Sequence, residues 1–188
     1  VTAYDAPPNL SPPAQASTST LPDEEIPGTP GTLVATPSYL SVSLVWTAST
    51  DNAGVTGYRV YRGEDLLATV QGTEYLDAGL APGTTLEYHV RAFDLTGNLS
   101  LPATVSTATL ADALAPGIPA FLEATPGNES ISLAWAASTD NVAVTSYEIR
   151  RNHILLATVP TPGFLDTGLT NGTLYTYEVR AIDGIGNV

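Results

Sequence analysis

The sequence predicts an all-β chain built as two tandem sandwiches, and three observations carry that prediction. Shifted by 89 positions the chain falls on itself, so that Trp46 meets Trp135, Asp51-Asn52 meets Asp140-Asn141, Tyr58 meets Tyr147 and Tyr88 meets Tyr177. A period that long is a small domain rather than a solenoid turn. Within each period, short apolar and polar alternations are separated by turn chemistry. Finally, no stretch shows capped helical spacing.

Taken in order along the first repeat, Thr32 to Thr36 reads as a strand, and Leu40 to Trp46 alternates Leu40, Val42, Leu44 and Trp46 against Ser41, Ser43 and Val45. Gly57 to Tyr61, Leu66 to Val70, a short piece around Tyr75, Leu86 to Phe93 and Ala103 to Thr109 bring the count to seven. Ser49-Thr50-Asp51-Asn52, Gly63-Glu64-Asp65, Pro82-Gly83-Thr84 and Thr96-Gly97-Asn98 supply the turns between them. Seven short strands in under a hundred residues make a two-sheet sandwich. Trp46, Trp135, Tyr58 and Tyr147 fall on the apolar side of the alternation and are assigned to the cores.

These residues resemble fibronectin type III domains, an immunoglobulin-like sandwich family. The likeness lies in a Trp on the second strand (Trp46, Trp135), a Tyr on the third (Tyr58, Tyr147), the turns Gly79-Leu80 to Gly83-Thr84 and Gly168-Leu169 to Gly172-Thr173, and a Val-Arg-Ala sixth strand. The Ser-Thr-Asp-Asn and Asp-x-x-Gly-Asn loops are similar to the bacterial extracellular kind. The family's corner tyrosine, whose hydroxyl bonds back to the backbone, falls at Tyr175 in the second repeat, but the first has Leu86 there. A looser turn around Pro82-Gly83 is therefore expected in the first repeat.

The resulting organisation is 1–21 as the tail of a preceding repeat or a donor strand, 22–30 a linker, 31–110 the first repeat, 111–118 a second linker, and 119–188 a second repeat lacking its final strand. Prolines should make the linkers semi-rigid. Pro13 to Leu21 matches the seventh strand, Pro102 to Leu110, in register. Two explanations stay open: strand addition to a neighbouring copy in a head-to-tail assembly, or continuation of a longer array.

The 19 acids against six arginines, with no lysine, give a net charge of −13. Such a surface repels phosphate backbones and anionic lipid, so nucleic acid is a poor partner, and no apolar run is long enough for membrane insertion. Without cysteine there is neither a disulfide frame nor a thiol nucleophile. Export would require a signal that was removed or lies upstream.

Candidate chemistry is sparse. His89 and His153 occupy non-equivalent positions with no second ligand at a metal spacing, and no Gly-x-Ser-x-Gly, phosphate loop or His-Glu-x-x-His is present. The arginines Arg59, Arg62, Arg91, Arg151 and Arg180 are expected to pair across strands with Glu87, Glu148 and Glu178. Of the aromatics outside the core, Tyr39, Phe121 and Phe164 are scattered, which argues against a sugar platform. The loops after the second and sixth strands share one pole. Asp51, Asn52, Asp94 and Asn98 can converge there, as can Asp140, Asn141, Asp183 and Asn187. Closure of the loops by Asp and Asn is the first reading; Ca²⁺ held by hard oxygen ligands is the alternative, and no other cofactor is expected. Asn9, Asn98, Asn128 and Asn171 head Asn-x-Ser/Thr sequons in turns, where a glycosylating host can attach a glycan.

The function expected is a non-catalytic spacer, stalk or filament segment of a larger secreted or surface protein. The alternative is the accessory spacer of a secreted polysaccharide-degrading enzyme, meeting polysaccharide through other modules. An enzyme in its own right is not expected.

Overall fold

The computed structural model describes residues 14–188. The first unit holds β1 (Gly31–Pro37), β2 (Ser41–Thr47), β3 (Val55–Arg62), β4 (Asp65–Val70), β5 (Glu74–Ala78), β6 (Thr85–Asp94) and β7 (Ala103–Ala108). The second holds β8 (Glu123–Gly127), β9 (Ser130–Ala134), β10 (Val144–Arg151), β11 (Ile154–Val159), β12 (Phe164–Thr167) and β13 (Tyr177–Asp183). One sheet of the first unit runs β1-β2-β5 and the other β4-β3-β6-β7; the second unit repeats this as β8-β9-β12 and β11-β10-β13. All pairings are antiparallel, and the register repeats with them: Tyr58 faces Ala92 and Val70, as Tyr147 faces Ala181 and Val159.

Period-two alternation explains the core. Val42, Leu44 and Trp46 on β2 turn inward to meet Tyr58 and Val60 on β3 and Tyr88, Val90 and Ala92 on β6, all buried. Leu40, which lies before β2, is 39% exposed and does not join them. In the second unit Leu133, Trp135, Tyr147, Ile149 and Ala181 form the buried cluster. Each Trp packs edge-on against its Tyr, with centroids 5.4 Å apart and planes at 65°. The tyrosine hydroxyls accept the N–H of Ser49 (2.9 Å) and Ser138 (3.0 Å). Phe164 packs against the second core rather than standing free, while Phe121 is 89% exposed.

The arginines follow a different plan from cross-strand pairing with glutamate. Arg62 continues the inward series of Tyr58 and Val60, and its Nη1 meets Asp77 Oδ2 on β5 at 2.9 Å. Tyr88 Oη donates to the same oxygen at 2.7 Å. Arg151, Asp166 and Tyr177 repeat the triad, at 2.9 and 2.6 Å. Asp77 and Asp166 are buried, so each needs a partner, and the inward Arg on the facing sheet supplies it. Burial and the hydrogen bond to Asp166 push the Tyr177 hydroxyl up to about 12. Elsewhere Arg91 Nε donates to Ser100 O, Arg59 lies over the Phe93 ring, and Glu148 and Glu178 serve Arg150 and Arg180.

The corner tyrosine is present where expected, Tyr175 Oη accepting the Thr170 N–H at 3.1 Å. The turn opposite Leu86 is not loose, however. The buried Thr109 hydroxyl donates to Ala81 O (2.7 Å) and accepts the Thr84 N–H (2.8 Å), and Gly83 N–H reaches Leu110 O (3.1 Å). Residues 22–30 and 111–118, read as linkers, are packed onto the units that follow them. Gly28 N–H donates to Thr50 O and Gly117 N–H to Thr139 O, both at 2.9 Å, and Pro27 is fully buried. Of the segment matching a seventh strand, Pro13 lies outside the described residues, while residues 14–21 are exposed and form no strand.

Candidate functional site

At the pole where β2 leads into β3 and β6 ends, each unit gathers three carboxylates. They are Asp23, Asp51 and Asp94 in the first unit, and Asp112, Asp140 and Asp183 in the second. Within each set, one carboxylate oxygen from every residue lies within 4.8 Å of those of the other two. Three elements converge in each case: the segment entering the first strand, the loop after the Trp strand, and the end of the sixth strand.

Each aspartate uses one oxygen to shape its own loop, as Asp does in turns. Asp94 Oδ1 accepts from Thr96 Oγ1 (3.0 Å), Gly97 N–H (2.7 Å) and Asn98 N–H (2.9 Å). Asp183 Oδ1 takes the N–H groups of Ile185, Gly186 and Asn187. Asp51 Oδ2 accepts the Ala53 N–H, and Asp140 Oδ2 those of Val142 and Ala143. Asp23 Oδ1 binds Glu25 N–H and the Asn52 amide, both at 3.1 Å; Asp112 Oδ1 binds Leu114 N–H (3.2 Å) and the Asn141 amide (2.9 Å).

What loop closure leaves over is the informative part. Asp23 Oδ2, Asp51 Oδ1, Asp112 Oδ2 and Asp140 Oδ1 are buried and have no hydrogen-bond partner. Asp94 and Asp183 are 2% exposed, and Asp112 is 7% exposed. Burial pushes the Asp94 carboxyl up, but the hydrogen bonds from Asn98, Thr96 and Gly97 outweigh it and hold the group below the usual aspartate range. Asp183 is lowered in the same way by Asn187, Ile185 and Gly186 against the push of its burial. Among the described residues, no arginine or histidine forms an ion pair with any of the six. Unit charges about 4–5 Å apart repel by about 3–4 kcal/mol at an effective dielectric of about 20. Such an assembly concentrates negative charge at the pole of each unit.

Of the sequence-predicted residues, Asp51 with Asp94 and Asp140 with Asp183 do come together. The asparagines do something else. Asn52 and Asn141 donate to Asp23 and Asp112, while Asn98 Nδ2 donates to Asp94 Oδ2 (2.8 Å) and to the carbonyls of Asp23 and Glu25 (both 3.1 Å). Asn187 Nδ2 bonds Asp183 Oδ2 (2.7 Å) and Leu114 O (3.1 Å). They present N–H groups and orient the carboxylates. Asp23 and Asp112 were not among the predicted ligands, although the 89-residue shift pairs Leu21-Pro22-Asp23 with Leu110-Ala111-Asp112.

The sequons divide. The Asn98 amide is engaged inside the pole, whereas Asn171 and Asn128 lie exposed and bonded to each other at 3.0 Å. Asn9 lies outside the described residues. Neither histidine belongs to a cluster: His89 lies on β6, 3.9 Å from Glu87, and His153 in the turn between β10 and β11, 2.5 Å from Glu178.

No protein-family model matches the chain. The chain is 40% identical over its whole length to exoglucanase B of Cellulomonas fimi, and 42% identical over 88% of its length to chitinase A1 of Niallia circulans. It spans 19% of the first protein and 25% of the second. A solved central fibronectin-III array of RIM-binding protein aligns with 86% of this chain and 65% of its own, at 22% identity and a TM-score of 0.41.

Proposed function

From a chain that is a tandem of fibronectin type III units of the bacterial extracellular kind, we infer that these units are accessory spacer modules of a secreted polysaccharide-degrading enzyme. One observation carries the reading: nearly the same two-unit segment recurs, at 40–42% identity, as a fifth to a quarter of an exoglucanase and of a chitinase. Those two proteins are named for different polymers. A segment common to both does not select either one, and it fits a role that is indifferent to the substrate.

The geometry supports a spacer. Leu110 is tied to the first unit through Ser38 O (2.9 Å) and Gly83 N–H (3.1 Å), and Asp112 is tied to the second through Asn141. A joint this short passes position from one unit to the next. The test is direct. Purified chain incubated with carboxymethylcellulose and with colloidal chitin is expected to release no reducing ends and to stay in the supernatant. Hydrolysis of either polymer, or depletion onto it, would overturn the reading.

A further inference from the structure

We propose that each carboxylate cluster is a calcium site, and that Ca²⁺ on Asp112, Asp140 and Asp183 locks the joint between the two units. The acidic residues alone would not carry this. The buried, unpartnered oxygens do: Asp112 is 7% exposed, its Oδ1 is already bonded, its Oδ2 is buried with no donor, and its carboxylate lies within 4.8 Å of those of Asp140 and Asp183. Asp140 Oδ1 is likewise buried without a partner, and Asp23 Oδ2 and Asp51 Oδ1 repeat the pattern in the first unit.

The donor set selects the ion. All the free ligand atoms are carboxylate oxygens, with neither the imidazole nor the thiolate that zinc favours. Oxygens bound to one Ca²⁺ at about 2.3–2.6 Å can stand as much as about 5 Å apart, so separations up to 4.8 Å are within reach of a single ion. Mg²⁺, at about 2.0–2.1 Å, would draw all three loops inward and demand a stricter octahedron. Waters complete the coordination in the usual way for a calcium site with few protein ligands.

The consequence for the joint follows from where the chain is anchored. Thr109 and Leu110 belong to the first unit by their hydrogen bonds, and Asp112 is the first residue that the second unit holds. With Ca²⁺ bound, Ala111 alone separates the two anchors. Without it, repulsion among three ionised carboxylates favours release of Asp112, and the next ties to the second unit are Asn187 Nδ2 to Leu114 O and then Gly117 N–H to Thr139 O. The cation thus sets whether the free joint is one residue or about three.

Calorimetric titration of the chelator-stripped full chain is expected to show two Ca²⁺ per chain, one for each cluster, in the about 0.1–1 mM affinity range of extracellular calcium modules. Elastase cleavage in Ala113 to Ala115 should be suppressed by the ion. Asp112→Asn keeps the Oδ1 contacts and removes one repelling charge, so the variant folds; it should retain one site and lose the protection. Asp140→Asn should behave alike. No uptake at about 5 mM Ca²⁺ would overturn the site, as would two undiminished sites in either variant. Binding with unchanged cleavage would overturn the lock.

Discussion

The two units share a frame but differ in how they fill it, and the differences come in compensated pairs. In the first unit β7 lies beside β6, and Tyr88 and Val90 are fully buried; in the second, Tyr177 and Val179 occupy those positions on β13 and are only partly buried. Gly57 faces Phe93 in one unit, and Ser146 faces Ile182 in the other. Leu86 with Thr109 in the first replaces the corner bond of Tyr175 in the second. By contrast, the carboxylate pole is repeated residue for residue: Asp23, Asp51, Asn52, Asp94 and Asn98 against Asp112, Asp140, Asn141, Asp183 and Asn187. Packing tolerates substitution when volume is restored. A set of mutually repelling charges has no such latitude, and its exact repetition argues for a requirement beyond packing.

The largest expected effect tests whether the cores are independent. Trp46 and Trp135 are 3% and 7% exposed, and truncating either to Ala should cost about 3–5 kcal/mol. The first core buries eight residues and the second five, so thermal unfolding should show two transitions, the lower from the second unit. Trp135→Ala should shift only the lower transition and Trp46→Ala only the upper, as read by scanning calorimetry. A single transition moved equally by both would show the units to be one cooperative body.

A sharper test exchanges a compensated pair. A Cβ on Gly57 would stand 2.6 Å from Val70 O and 3.0 Å from the Phe93 ring, whereas the second unit carries Ser146 opposite the smaller Ile182. Gly57→Ser should therefore lower the upper transition by the equivalent of about 1–3 kcal/mol. Adding Phe93→Ile should recover part of that loss by opening the space around the ring. Additive losses in the double variant would mean that the backbone contact with Val70 dominates.

Much of this was legible in the sequence because period-two alternation fixes which residues face inward. It located all seven strands of the first unit and both tryptophans. Extended one step further, the alternation places Arg62 and Asp77 on facing inner surfaces, and a buried Asp in a strand requires a cationic or hydroxyl partner. The Arg62, Asp77 and Tyr88 triad was thus readable, although cross-strand pairing with a surface glutamate is the simpler expectation for a strand arginine. Asp23 and Asp112 were harder. They lie outside any strand, in segments whose proline content reads as linker, and only tertiary folding carries them to the pole. Thr109 escaped for a similar reason: its partners Ala81 and Thr84 lie 28 and 25 residues away.

The smallest effect concerns the corner. Tyr175→Phe removes the acceptor of the Thr170 N–H while the ring stays beneath the Arg151 guanidinium, 5.6 Å from its centroid. The loss should be about 1 kcal/mol, that of one partly exposed hydrogen bond, and should appear only in the lower transition. Leu86→Tyr restores the family's residue to the first unit, yet it should add almost nothing. There the Thr109 hydroxyl already bonds both Ala81 O and Thr84 N–H, so the turn offers little for a new hydroxyl to stabilise. If Leu86→Tyr instead raised the upper transition by as much as Tyr175→Phe lowers the other, the two corners would be unequal in strength, and the Thr109 arrangement would be an incomplete substitute for the tyrosine.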